Sequence, residues 1–143
     1  MRSKKTKYCE MILVDGIVYL EYHENDLLEL EVAKDMVEDR IIFCEGVTYP
    51  HLFDFTKVKK FTKQARDYFA NEGNDLVSAS ALLIDSQIVK MMANFFIVVN
   101  KPKNPTKMFT DKDLALKWLD RYKNDGWNTL MKSISEMESH FSN

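Results

Sequence analysis

The segment from Leu76 to Ile84 constrains the fold more than any other part of the chain. It reads Leu76, Val77, Ser78, Ala79, Ser80, Ala81, Leu82, Leu83, Ile84, with no charge and no alternation of apolar and polar residues. A strand with one wet face alternates, so an unbroken apolar and small run of this length is the pattern of a strand covered on both faces. Such a strand belongs inside a layered α/β domain with helices packed on its sheet. Its serines and alanines would let those helices approach closely.

The flanking sequence supplies the layers. Tyr8 to Val14 and Ile17 to His23 are β-rich runs joined by Asp15-Gly16, a two-residue connection suited to a type I′ turn in which both central residues take positive φ. After an ambiguous stretch at Asn25 to Leu28, apolar residues at Leu30, Ala33, Val37, Ile41 and Cys44 predict an amphipathic helix stopped at Gly46. Val47 to Phe55 reads as a strand with Pro50 near its start or on an unpaired side. Thr62 then caps a helix over Lys63 to Glu72, with Gly73 as its left-handed terminator.

Beyond the covered strand, Asp85 and Ser86 open a helix with apolar positions at Ile88, Met91, Met92, Phe95, Phe96 and Val99, closed by Pro102 and Pro105. Lys107 to Phe109 is a short last strand. Thr110 and Asp113 form a capping box, with Phe109 and Leu114 as the hydrophobic staple, for a helix that buries Ala115, Trp118, Leu119 and Tyr122. Past Asp125-Gly126, Trp127, Leu130, Met131, Ile134, Met137 and Phe141 make a narrow apolar stripe on a further helix. A hairpin followed by alternating helices and strands builds a mostly parallel five-stranded sheet with an antiparallel hairpin at its edge, because each parallel return needs a crossover. The expected units are an α/β domain over residues 1–125 and a C-terminal helical extension over 126–143.

Composition narrows the function. With 143 residues, 45% of them hydrophobic, the chain is large enough for one core without disulfides or metal. A net charge of −2 offers no global field for nucleic acid. No apolar stretch approaches the roughly 20 residues of a membrane span. Cys9 and Cys44 have no metal-ligand spacing and read as buried residues in a reducing compartment, so a cytoplasmic location is expected. No nucleophile elbow, phosphate loop or dinucleotide fingerprint is present, and no cofactor or metal is expected.

The runs Asp15-Gly16-Ile17-Val18-Tyr19 and Leu52-Phe53-Asp54-Phe55, the stretch Asn94-Phe95-Phe96 and the segment Phe109-Thr110-Asp111 to Ala115-Leu116-Lys117-Trp118-Leu119 resemble a group of uncharacterised bacterial STAS-like domains. These are relatives of the anti-sigma-factor antagonists and are distantly similar to Sec14-type domains. The resemblance covers roughly Tyr8 to Tyr122 and implies partner binding. In the antagonists a serine in an Asp-Ser-Ser-Gly motif, at the start of the helix after a central strand, is phosphorylated to break a complex. The corresponding Lys59-Lys60-Phe61-Thr62-Lys63 keeps a hydroxyl but neither the Asp-Ser-Ser nor the Gly.

Three groups are candidate sites. Lys57, Lys59, Lys60, Lys63 and Arg66 surround the helix start at Thr62 with no acid between Asp54 and Asp67, a place where an anion or acidic partner surface could dock. The plainer reading is solvated charge around an N-cap. Met91, Met92, Phe95 and Phe96 could line an apolar pocket or simply be core. The stripe from Trp127 to Phe141 either folds back on its own domain or meets a partner, including a second copy in a homo-oligomer. His51 and Asp54, three apart on a strand, point to opposite faces and cannot share a metal or a proton relay, and Asp54 is expected to cap a turn. The function expected is a STAS-like protein-interaction or regulatory module. A carrier of a small apolar or lipid-like ligand is the alternative, and an enzyme the third reading.

Overall fold

The Asp15-Gly16 connection folds as its sequence dictates. Both residues take positive φ, 54° and 76°, and join β2 (Cys9–Val14) to β3 (Ile17–Tyr22) in an antiparallel hairpin with Val14 opposite Ile17. The computed structural model describes the chain except residues 86, 88–89, 92–96, 98–99 and 142–143; in the last helix it describes the backbone but not the side chains of 124–133 and 140–141.

From β3 the chain forms α1 (Leu30–Cys44), β4 (Tyr49–Asp54), α2 (Lys63–Asn71) with a 3-10 turn at Glu72–Asn74, β5 (Val77–Leu83), β6 (Thr106–Phe109) and α3 (Lys112–Phe141). The strands lie side by side in chain order, and β3 to β6 are parallel. Pro50 sits at the second position of β4, where the register with β5 shifts, so its missing N–H breaks no regular ladder. Of the segment between β5 and β6, Gln87, Lys90 and Met91 are helical, as predicted, and most of the rest lies outside the described residues.

The sheet has six strands where the sequence predicts five. The extra strand, β1 (Arg2–Lys5), pairs antiparallel with β2. Its sequence, Arg-Ser-Lys-Lys, carries no strand pattern because an edge strand is held by its neighbour's backbone, and its charges discourage further pairing. Arg2 reaches across to α1, donating to the carbonyl of Phe43, lying 4.9 Å over the Phe43 ring and pairing with Glu45 at 3.2 Å. It supplies the cation that the last turn of α1 lacks.

Two apolar layers result from strand parity. On one face Cys9, Met11, Val18, Leu20, Tyr22, Phe53 and Leu82 pack under α1 and α2. On the other, Ile17, Leu52, Ala79, Ala81 and Leu83 meet Ala115 and Leu119 of α3. The strand predicted to be covered on both faces is so covered, and its alanines lie where α3 crosses.

Three local expectations are corrected. Gly73 is not left-handed: it lies in the 3-10 turn, and the positive φ of 61° falls on Leu76. The cap of α3 is Asp111, whose carboxylate accepts from the N–H of Leu114 at 3.1 Å; Leu114 is exposed, and Phe109 packs instead on Trp118. Asp125-Gly126 does not interrupt the chain, because α3 is helical from Lys112 through Phe141. A glycine inside a helix costs only about 1 kcal/mol relative to alanine, less than the gain from continuing the helix around it.

Candidate functional site

At the carboxyl end of the parallel strands, Asp54 accepts from the backbone N–H of Thr56 at 2.9 Å and from its hydroxyl at 2.6 Å, which caps the turn leaving β4. The ambiguous stretch after β3 pairs with that turn's continuation: Asn25 bridges Val58 and Leu28 bridges Phe61 in parallel. The backbone of Thr62 is thereby tied to Leu28, and its hydroxyl accepts from the N–H of Ala65 at 3.1 Å as the N-cap of α2.

The cations around Thr62 are not left without acids once the chain folds. Lys57 pairs with Glu21 at 2.9 Å, Lys59 with Asp26 at 3.2 Å and Lys63 with Asp67 at 2.9 Å. The Glu21 hydrogen bond holds Lys57 above its ordinary value, and the Lys63 and Asn100 hydrogen bonds hold Asp67 below its own. Lys60 is exposed and has no carboxylate within ion-pair distance among the described residues. Arg66 turns from this cluster into the wall of a cavity. Lys101 and Lys103 precede β6 whereas Lys57 follows β4, so the two groups of cations lie at opposite ends of the parallel strands.

That cavity lies on the α1 and α2 face of the sheet. About 60 Å³ of it is open to the centre of a water-sized sphere, room for a few water molecules. Aromatic side chains form much of its wall: Tyr22 stacks on Phe55 at 4.5 Å, and Phe55, Phe61 and Phe69 meet edge to face at 5.1 to 6.4 Å. Of the predicted pocket residues, Met91 is 71% exposed, while Met92, Phe95 and Phe96 lie outside the described residues.

Arg40 also lines the cavity, and sequence reading passed over it. It sits on the apolar side of α1, only 2% exposed. Its Nη2 donates to the carbonyls of Gly73 at 3.2 Å and Asp75 at 2.7 Å, and its Nη1 meets Nε2 of His51 at 3.3 Å. His51 is fully buried and bonds the Tyr49 carbonyl through Nδ1 at 2.8 Å, which places the proton on Nδ1 and leaves Nε2 as acceptor. Burial, and then the Arg40 charge, push His51 well below the usual histidine value, so it is neutral. The only sign in the sequence was that position 40 falls in phase with Ala33, Met36, Val37 and Cys44.

The last candidate is α3 beyond the sheet. Lys123 bonds Asp15 in the hairpin turn at 2.8 Å, and a Cβ placed on Gly16 would sit 3.1 Å from the Lys123 side chain. Residues 124–141 continue the same helix for about 27 Å. Ile134 and Met137, two of the predicted stripe, are 39% and 59% exposed. The side chains of Trp127, Leu130, Met131 and Phe141 lie outside those described. Among the described residues no helix is long and apolar enough to cross a membrane, and no group of three or more His, Cys, Asp and Glu could hold a metal ion.

Comparison with known proteins agrees with this architecture. No curated protein matches the chain. A solved structure of an uncharacterised protein of the DUF3478 family with a SpoIIAA-like fold, from Shewanella loihica PV-4, is similar at 17% identity and a TM-score of 0.54, covering 81% of this chain and 98% of that one. At that identity the likeness shows the fold, the one expected from the STAS-like resemblance, and it does not show the similarity to Sec14-type domains. A family model, DUF7793, a domain of unknown function, matches residues 11–123 and so ends at the lysine that pins α3 to the hairpin. The chain belongs to the DUF7793 family and carries a SpoIIAA-like mixed α/β fold.

Proposed function

We propose that this protein is a non-catalytic protein-interaction module that works in the cytoplasm and binds its partner through the part of α3 beyond the sheet. The carrying observation is that α3 runs on past its anchor at Lys123 with Ile134 and Met137 exposed. Positions 127, 130, 134, 137 and 141 are apolar at alternating spacings of three and four, the repeat by which one helix packs on another. Ile134 and Met137 are exposed, and a helix of another chain is the fitting occupant, a second copy first among them. Lys60 and the Thr62 region form a secondary contact for an acidic surface, reduced by the three lysine–carboxylate pairs.

The test compares the full chain with Ile134→Asp/Met137→Asp by light-scattering mass and by affinity capture. The expected result is a dimer, or a protein partner, held by the full chain and released by the variant. A monomer that captures nothing the variant does not also capture would overturn the reading. Charge reversal at Lys59 and Lys60 tests the secondary contact, and unchanged binding removes it.

The aromatic-walled cavity favours a second reading, carriage of a small apolar ligand. Native mass spectrometry of the gently purified protein tests it: a bound small molecule supports carriage and an empty chain counts against it.

A further inference from the structure

Arg40 is a buried cation whose hydrogen-bond partners are all neutral, with the Asp75 carboxylate near enough to favour its charge but not paired with it. Its acceptors are two backbone carbonyls and a neutral imidazole, and no carboxylate lies within ion-pair distance of it among the described residues. A buried charge without a counter-charge is costly, several kcal/mol per ion even after relaxation. Arg40 also lines the cavity, as do a second guanidinium, Arg66, and the polar side chains of Ser80 and Asn74. The rest of the wall is largely apolar, dominated by Phe53, Phe55, Phe61, Phe69 and Leu82.

We propose that the cavity binds a small amphipathic monoanion, an apolar body bearing one carboxylate, with the carboxylate at Arg40 and the body against the phenylalanine wall. The proposal rests on the carrier reading and adds the head group to it. One buried cation balances one negative charge, and the planar guanidinium matches a carboxylate more closely than it does a neutral hydroxyl. Arg66 adds a second positive charge to the same space and strengthens the preference for an anion. The His51 imidazole fixes the guanidinium from behind, because its Nε2 accepts from Nη1 while its Nδ1 is held by Tyr49.

Calorimetric titration of the full chain, stripped of bound ligand by denaturation and refolding, with octanoate, 1-octanol and octylammonium reads the head-group preference directly. Octanoate is expected to bind at least tenfold more tightly than octanol, and octylammonium more weakly than either. Arg66→Gln is expected to lower octanoate affinity at least threefold and octanol affinity by less. Arg40→Met should remove the octanoate advantage altogether. Should that variant fail to fold, the comparison of ligands on the unaltered protein still decides. Thr106→Trp, which fills the cavity edge, should abolish binding of both neutral and anionic probes, whereas binding that survives it lies elsewhere and overturns the site. Equal affinity for octanoate and octanol sinks the anion proposal and leaves the carrier reading standing; no binding of any probe sinks both.

Discussion

Arg40 and His51 form a buried pair in which the guanidinium donates to an imidazole 3.3 Å away, joining α1 to β4, while the other end of the guanidinium holds the carbonyls of Gly73 and Asp75 ahead of β5. A helix, a strand and the turn before the next strand thus share a single polar knot. Its partners are neutral, so its stability depends on the imidazole staying unprotonated.

Stability should therefore fall in mild acid. His51 has a folded value well below its ordinary one, about 6.5. The unfolded chain takes up a proton as pH drops through that ordinary value and the folded chain does not, so the contribution is complete above it and is lost as pH falls toward the folded value. The slope from this group approaches about 1.4 kcal/mol per pH unit. Urea midpoints at pH 7.5 and 5.5, for the protein and for His51→Gln, measure it: the variant should lose the part of the slope due to this histidine. Equal slopes would show that the imidazole titrates freely.

Ala81 is fully buried where α3 crosses the sheet, in the cluster that holds Ala115 and Leu119. Ala81→Leu forces the helix outward and should cost about 1–3 kcal/mol by overpacking. Thermal and urea denaturation check this, and a stability equal to that of the original protein would mean that α3 is not seated as described.

Thr62→Ala removes the acceptor for the Ala65 N–H and should cost about 1 kcal/mol, whereas Thr62→Ser should retain most of that stability. The pair of variants separates a capping hydroxyl from one that matters only to a partner. If both variants bind partner like the original, the role of Thr62 is confined to the fold.

The thiols of Cys9 and Cys44 are both fully buried and unpaired in disulfides. Burial pushes both up from the ordinary thiol value, and for Cys44 this outweighs the pull of Arg40. Because the thiolate is the reactive form, neither should react with a disulfide reagent within minutes in the native protein, and both should react in urea. Rapid labelling of the native chain would place one of them outside the core.

Much of this fold is written in short stretches of sequence. Asp15-Gly16 makes its turn because two adjacent residues can take positive φ, Thr62 caps because its hydroxyl reaches an N–H three residues on, and Leu76 to Ile84 announces a doubly covered strand by lacking any polar period. The candidate site was less legible. The Lys57 to Lys63 segment looks uncompensated along the chain, yet Glu21 and Asp26 come from other elements to meet it. Arg40 was passed over because a charge on an apolar helix face is ordinarily an exception that only a distant acceptor can justify.

By itself the sequence determined the alternation of strands and helices, the hairpin, the Thr62 cap and the faces that must be buried, because each depends on periodicity and backbone chemistry over one or two turns. Only the tertiary structure decided that Arg2 to Lys5 joins the sheet, that α3 runs unbroken past Lys123, that Lys57 and Lys59 find carboxylates and that Arg40 rests on His51 beside a cavity. Those outcomes depend on groups far apart in the chain, and their positions become defined only when the sheet has closed over its core.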